Sequence, residues 1–251
     1  TKFKNVYIPP AGHDAGTSIG SALYFYNHVL SEERSEPMYN PYLGTNTGNE
    51  RIKELLSERD IKFEYLEDNE LSKKVAQLLV DGKVVGWFQG KAEFGPRALG
   101  GRSIIVDPRR QDAKDLLNSK IKRRESFRPF APSILKEDLS EWFDINVDSP
   151  YMLMVASINK DKTIKMTQDQ KNLFGIDKLN VKRSEIPAVT HVDYSARIQT
   201  VHKETNERYF RVIEKFKEKT NCPILVNTSF NVRGEPIVNT PLDAFNSFMG
   251  T

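Results

Sequence analysis

The sequence predicts a mixed α/β (α+β) fold, and three observations carry that expectation. Strand-length apolar runs alternate with stretches of helical periodicity along the chain. Several of those runs end in turns rather than helices, which favours a mixed sheet over a purely parallel one. With 251 residues, 38% hydrophobic and 28% charged, the chain can bury one large core or two modest ones.

Composition excludes several classes. Net charge is only +3, which weakens the case for a general nucleic-acid binder. Cys222 is the single cysteine, so there is no internal disulfide framework and a reducing compartment is expected. No CxxC or HExxH pairing offers a self-contained metal site. No apolar run reaches about 18 residues and no signal-peptide pattern occurs, so no membrane span is expected and the cytoplasm is the expected location. Both ends read as cuts into a longer protein: one opens on Thr1-Lys2 just before a strand, the other stops at Phe248–Thr251 where a helix has been built.

In order, Asn5–Ile8 reads as a strand and Pro9–Gly16 as a turn rich in small residues, leading into a helix from Thr17 to Leu30. Asp14 in that turn is either a plain N-cap or a carboxylate available to a metal or a hydroxyl. His13 reads as a loop residue. Residues 31–46 form a polar loop, Glu50–Arg59 a helix and Ile61–Leu66 an alternating strand. An acidic connector at 67–70 marks the expected domain boundary, dividing the chain into 1–66 and 70–251. Leu71–Leu79 has helical spacing and stops at Asp81-Gly82.

Val84–Phe88 is a strand that empties into the most unusual stretch of the chain. From Lys91 to Arg128 there are eleven cationic residues against five acidic ones, set among Gly and Pro. Arginine's planar fork of donors matches phosphate and carboxylate oxygens and stays charged near neutral pH. The stretch is therefore either an anion pocket or a solvated basic face. Ser103–Val106 resumes as a strand, and Ala113–Ile121 is a helix whose basic end suits its dipole. Ser133–Leu135 is a strand and Glu137–Phe143 a short helix.

Tyr151–Ile158 is an apolar strand, and its two Met residues read as core filler. Asn159–Glu185 is lysine-rich and irregular, an insertion or a mobile lid. Pro187–Thr190 and Ala196–Val201 read as strands, with His191 a structural histidine between them. Glu207–Lys219 is amphipathic, with Phe210, Val212, Ile213 and Phe216 on its buried side. Cys222–Val226 is a buried strand that ends in Asn227–Pro236, whose short polar side chains suit phosphate oxygens or a purine edge, though turn chemistry explains them equally. Thr240-Pro241 starts the last helix as N-cap and first helical residue.

GPRALGGRSI with DPR, FRPFAPSIL, PAVTHVDYSARIQTV and NTSFNVRGEPIV followed by TPLDAF, in this order over residues 84–248, resemble the carboxy-terminal part of carbamoyltransferases of the nodulation and antibiotic-biosynthesis type. PPAGHDAGTSIGSAL resembles the end of that family's amino-terminal ASKHA (Kae1-like) domain. The resemblance implies that residues 70–251 are a YrdC-like domain, an open twisted sheet with flanking helices, truncated at its C-terminus. It implies formation of carbamoyl adenylate from carbamoyl phosphate and ATP, with pyrophosphate released. A metal-assisted transfer to a hydroxyl on a small-molecule acceptor follows in the Kae1-like domain.

It also assigns residues. Arg97, Lys122 and Arg128 bind phosphate or carbamoyl phosphate, joined by Arg197 from another strand. Asn227 and Ser229 contact nucleotide phosphates or the carbamoyl group, with Arg102 and Asn231 as second choices. Arg109, Arg110, Arg123 and Arg124 are left as solvated charges. Asp14 resembles the metal-ligating aspartate, whose partner histidines are not in this sequence, so the complete transfer is not expected of it. The implied cofactors are ATP with magnesium, and iron or a similar metal in the complete Kae1-like site. An RNA-binding module is the alternative, with Trp87, Phe88, Phe94, Phe127 and Phe130 stacking bases. A catalytically silent domain is a third possibility. The acceptor and the oligomeric state are not legible.

Overall fold

In the computed structural model, residues 7–34 and 36–251 are described, and they form a mixed six-stranded sheet with helices against it. In chain order the elements are α1 (Thr17–Tyr24, continued by a π-helical stretch Phe25–Val29), α2 (Asn49–Glu58), α3 (Asp68–Val80), β1 (Val85–Phe88) and β2 (Arg102–Val106). Then come α4 (Ala113–Leu116, continued as a π-helical turn Leu117–Ile121), β3 (Ala131–Leu135), α5 (Leu139–Trp142), β4 (Met154–Ser157), α6 (Gln168–Asn172) and α7 (Gly175–Leu179). The chain closes with β5 (Ser195–Val201), α8 (Glu207–Thr220), β6 (Ile224–Ser229) and α9 (Pro241–Met249).

The strand order is β1-β2-β6-β3-β5-β4. Every pair is antiparallel except β3 and β5, which run parallel. A parallel pair needs a long crossover, and residues 136–194 supply it, including the 159–185 excursion. The central strands are buried on both faces: β2 and β3 have no exposed position, and Ile224, Leu225 and Val226 of β6 are fully enclosed. That burial is why they read as apolar runs.

The longest helix on the sheet is α8. Asn206 caps it, its Oδ1 accepting from the Tyr209 N–H, and Asn221 ends it in the left-handed conformation. Tyr209, Phe210, Val212, Ile213 and Phe216 form its buried face, and α3 packs alongside. At α9, Thr240 and Asp243 form a reciprocal capping box with Pro241 at the first helical position.

Two sequence expectations are corrected. Ile61–Leu66 has no strand structure, because its alternating residues find no neighbouring strand to pair with and remain largely exposed. Pro187–Val189 is a 3-10 turn rather than a strand, with the Ala188 N–H donating to Pro108 O, so its burial comes from packing and not from the sheet. The strand expected at Asn5–Ile8 falls mostly outside the described residues, and Tyr7 and Ile8 have no regular structure.

The register gathers one edge of the sheet. Ser103 lies opposite Ser229, and Ala131 opposite Asn227. The C-terminal end of β6 therefore meets the N-terminal ends of β2 and β3, and the start of parallel β5 lies beside them. The loops entering these strands, 89–101, 122–130 and 191–194, open on the same edge.

The segment before α2 lies against one of these loops. Gly44 N–H donates to Ala92 O, Ala92 N–H to Thr45 O and Phe94 N–H to Pro41 O. Tyr42 Oη donates to Leu99 O at 2.8 Å and accepts from Asn206 Nδ2 at 2.8 Å, joining three parts of the chain. Tyr42→Phe is expected to lower stability by about 1–2 kcal/mol, since both partners lose a buried hydrogen bond. A urea midpoint equal to the wild type would contradict that role.

Candidate functional site

The second half of the loop GPRALGG, from Ala98 to Gly101, is held by a dense set of hydrogen bonds. The Glu93 carboxylate accepts from the N–H groups of Leu99 (2.6 Å), Gly101 (2.7 Å) and Arg102 (3.2 Å). Ala98 O accepts from Asn227 Nδ2, and Leu99 O from Gln199 Nε2 and Tyr42 Oη. Gly100 O accepts from Trp87 Nε1 and Gln89 Nε2, both at 2.9 Å. This bonding anchors the loop immediately after Arg97.

Lys122 follows α4 and is 7% exposed. Its Nζ donates to Ser229 O (2.6 Å), Ser229 Oγ (3.2 Å), Asn231 O (3.0 Å) and Asn231 Oδ1 (2.7 Å). Ser229 Oγ in turn donates to Asn231 Oδ1 at 2.7 Å. The expected residues Lys122, Ser229 and Asn231 thus form one unit. Burial first, then the Arg124 charge, pushes the Lys122 amine down to about 7. The four oxygens around it favour the ammonium form.

Arg97 and Arg197 are half-buried, and each has a buried Nε without a partner. Among the described residues the Arg197 fork makes one weak hydrogen bond, Nη2 to Met152 Sδ at 3.9 Å. Burial, then Arg97, then Arg124 lower Arg197 to about 10. Arg197 therefore lies close enough to Arg97 and to Arg124 to feel both charges. Among the described residues, no carboxylate pairs with Arg97, Lys122, Arg124 or Arg197, while Arg128 is exposed and makes a long 3.9 Å contact to Glu125. Desolvated like charges without a counter-ion are unfavourable by themselves and are the arrangement an anion relieves.

Arg124 is the residue that sequence reasoning missed. It looked like one more charge at a helix end. In the structure its Nε donates to Asn118 Oδ1 at 2.7 Å and its guanidinium stacks over Phe130, 4.7 Å from the ring centroid. Asn118, fully buried, also donates to Ser126 O and Arg128 O and so shapes the whole 123–128 turn. The signal in the sequence was position: Arg124 is two residues from Lys122 and already in the turn, not on the helix.

Two expected ligands have other work. Arg102 is 1% exposed, stacked on Phe88, and its terminal nitrogens donate to the carbonyls of Thr45, Gln89, Gly90 and Gly101. It braces the loop and has no terminal donor left for a ligand. Asn227, also 1% exposed, donates to Ala98 O and Gln199 Oε1. Its position is beneath the loop, where it supports Arg97 through the backbone. Of the other cations, Arg109 pairs with Asp107 and Arg110 with Asp112. Among the aromatics, Trp87 and Phe130 are core residues and Phe88 underlies Arg102, so stacking positions for bases are few.

Asp14 is exposed, and it is His13 that caps the short turn after it, Nδ1 accepting from the Ala15 N–H. Among the described residues no three His, Cys, Asp or Glu side chains are grouped to hold a metal. Asp14 alone does not make a metal site. The described helices include none long and apolar enough to cross a membrane.

The family model for the carbamoyltransferase C-terminus matches residues 76–251. The chain belongs to that family. It is 52% identical to the uncharacterized protein sll1178 of Synechocystis over 100% of this chain and 42% of that one. It is 39% identical to nodulation protein NolNO of Sinorhizobium fredii, over 99% and 34% respectively. With 3'-hydroxymethylcephem-O-carbamoyltransferase of Amycolatopsis lactamdurans it shares 31% identity, over 96% and 40%. The chain thus spans less than half the length of these relatives. The carbamoyltransferase C-terminal match begins within α3 and takes in the entire sheet and the cation cluster.

Proposed function

We propose that this chain is the adenylate-forming part of an O-carbamoyltransferase, with residues 70–251 as a YrdC-like domain and 1–66 as the end of the transfer domain. The observation that carries the proposal is the set of cations Arg97, Lys122, Arg124 and Arg197, each partly or fully desolvated, linked through Arg124 and, among the described residues, without an ion-paired carboxylate, at one end of the central strands. Carbamoyl phosphate and ATP together bring several negative charges to one site, and a preorganised cluster of this kind neutralises them.

Water releases phosphate from carbamoyl phosphate, leaving carbamate. A carbamate oxygen then forms a bond to the α-phosphorus of ATP while the bond to the departing pyrophosphate breaks. The products are carbamoyl adenylate, phosphate and pyrophosphate. In this reading Arg97 and Arg197 take phosphate oxygens through their forks, and Lys122 with Arg124 offsets the charge that grows as pyrophosphate leaves. Ser229 and Asn231 hold Lys122 in place, and Arg128 at the rim guides anions inward. Magnesium would accompany the ATP triphosphate. The transfer to a hydroxyl-bearing acceptor belongs to the longer protein.

The test is pyrophosphate release from ATP, with and without carbamoyl phosphate. Release that depends on carbamoyl phosphate, and that falls at least about a hundredfold in Arg197→Met, supports the proposal. Saturable ATP binding with no such release identifies a silent nucleotide-binding domain instead. Steeply salt-dependent RNA binding in place of ATP binding identifies the RNA-binding alternative.

A further inference from the structure

The helix that delivers Lys122 has a second group of cations at its other end. Lys114 lies in the first turn of α4, eight residues and therefore about 12 Å along the helix from Lys122. There α4, the chain just after α7 and the Pro187–Thr190 turn enclose a cavity of about 100 Å³. That is space for several water-sized groups. Lys114, Lys182 and Arg183 line it, against one carboxylate, Asp115.

Arg183 is the built part of this site. It is 5% exposed. Its terminal nitrogens donate to the carbonyls of Lys178, Leu179 and Val181, which closes the end of α7 and fixes the guanidinium. Its Nε is buried and has no partner. Among the described residues no carboxylate forms an ion pair with Lys114, Lys182 or Arg183. Burial lowers the Lys114 amine, with Asp115 opposing and the Arg183 charge reinforcing that shift. Two desolvated cations from different segments therefore face one small cavity, the same logic that marks the cluster at Lys122.

We propose that this cavity is a second anion-binding site, taking one phosphate- or carboxylate-sized group. A bound anion bridges Lys114 of α4 to Arg183 and so ties the 159–185 excursion to the helix that positions Lys122. The site is separate from the proposed catalytic cluster and does not depend on it.

Amide NMR titration of the whole chain with inorganic phosphate, and in parallel with acetate, reads each site through its own residues. Saturable shifts are expected at Gln111, Lys114 and Val181–Arg183. Lys114→Glu should raise their midpoint about tenfold or more, while the midpoint at Ser229–Asn231 is unchanged. Lys182→Glu, on an exposed side chain, should move the midpoint the same way should Lys114→Glu disturb α4. Saturation with acetate too assigns a general anion pocket, and with phosphate alone a phosphate site. Amides that never saturate with either anion, or a midpoint equal to the wild type in both variants, overturn the proposal.

Discussion

Lys122→Met is expected to weaken ATP binding about a hundredfold, measured by calorimetry, with the chain still folded. Nζ is the donor that joins Ser229 and Asn231 and the most enclosed cation of the cluster. Its three N–H groups are taken by Ser229 and Asn231, so it acts on the phosphates through its charge, and a partly desolvated charge pair of up to about 3 kcal/mol corresponds to roughly that factor. Methionine fills similar space, so loss of packing is small. An affinity within a few-fold of the wild type would remove Lys122 from the binding set.

The same lysine predicts two opposite pH slopes. With its amine at about 7 in the ligand-free chain, anion binding must be accompanied by proton uptake once the pH passes that value. Affinity for ATP should therefore fall as pH rises from 7 toward 9, and the slope should flatten in Lys122→Arg, which stays charged. Stability of the ligand-free chain goes the other way. The folded amine is lowered from 10.5, so between about 7 and 10.5 the unfolded chain binds more protons and stability rises with pH. Parallel slopes in both measurements would contradict this account.

Gly100→Ala is expected to destabilise the chain by about 2–5 kcal/mol, a large share of a typical domain's stability. Gly100 has φ +102°, where side chains are disfavoured, and an added Cβ would lie 2.3 Å from the Tyr209 ring. Tyr209 is fully buried on the inner face of α8 and has nowhere to move. Backbone strain of about 1–2 kcal/mol and overpacking of about 1–3 kcal/mol act together. Because the loop carries Arg97, nucleotide binding should fall along with the urea midpoint. A midpoint close to the wild type would mean that the loop or the ring yields more easily than the packing indicates.

Much of the sheet was legible from residues alone. β1, β2, β3, β5, β6 and α8 are each visible as an apolar run or an amphipathic stripe, because burial on one or two faces leaves its period in the sequence. Ile61–Leu66 has the same alternation without a partner strand, and Pro187–Val189 has the burial without the ladder. A pattern reports the environment a segment needs, not the neighbour it finds.

The site divided in the same way. Residue type and motif pointed to Arg97, Lys122, Arg197, Ser229 and Asn231, and the fold brings Lys122, Ser229 and Asn231 into direct contact and places Arg97 close to Arg197. The sequence could not separate Arg102, whose terminal donors are spent on carbonyls, from Arg124, which looked solvated and is held by Asn118 and Phe130. An arginine looks identical in sequence whether its fork is committed or available. The sequence by itself determined the fold class, the main strands and the concentration of cations in one stretch of the chain. Only the tertiary structure decided which cations face one another without a counter-ion, because that depends on desolvation and on partners distant along the chain.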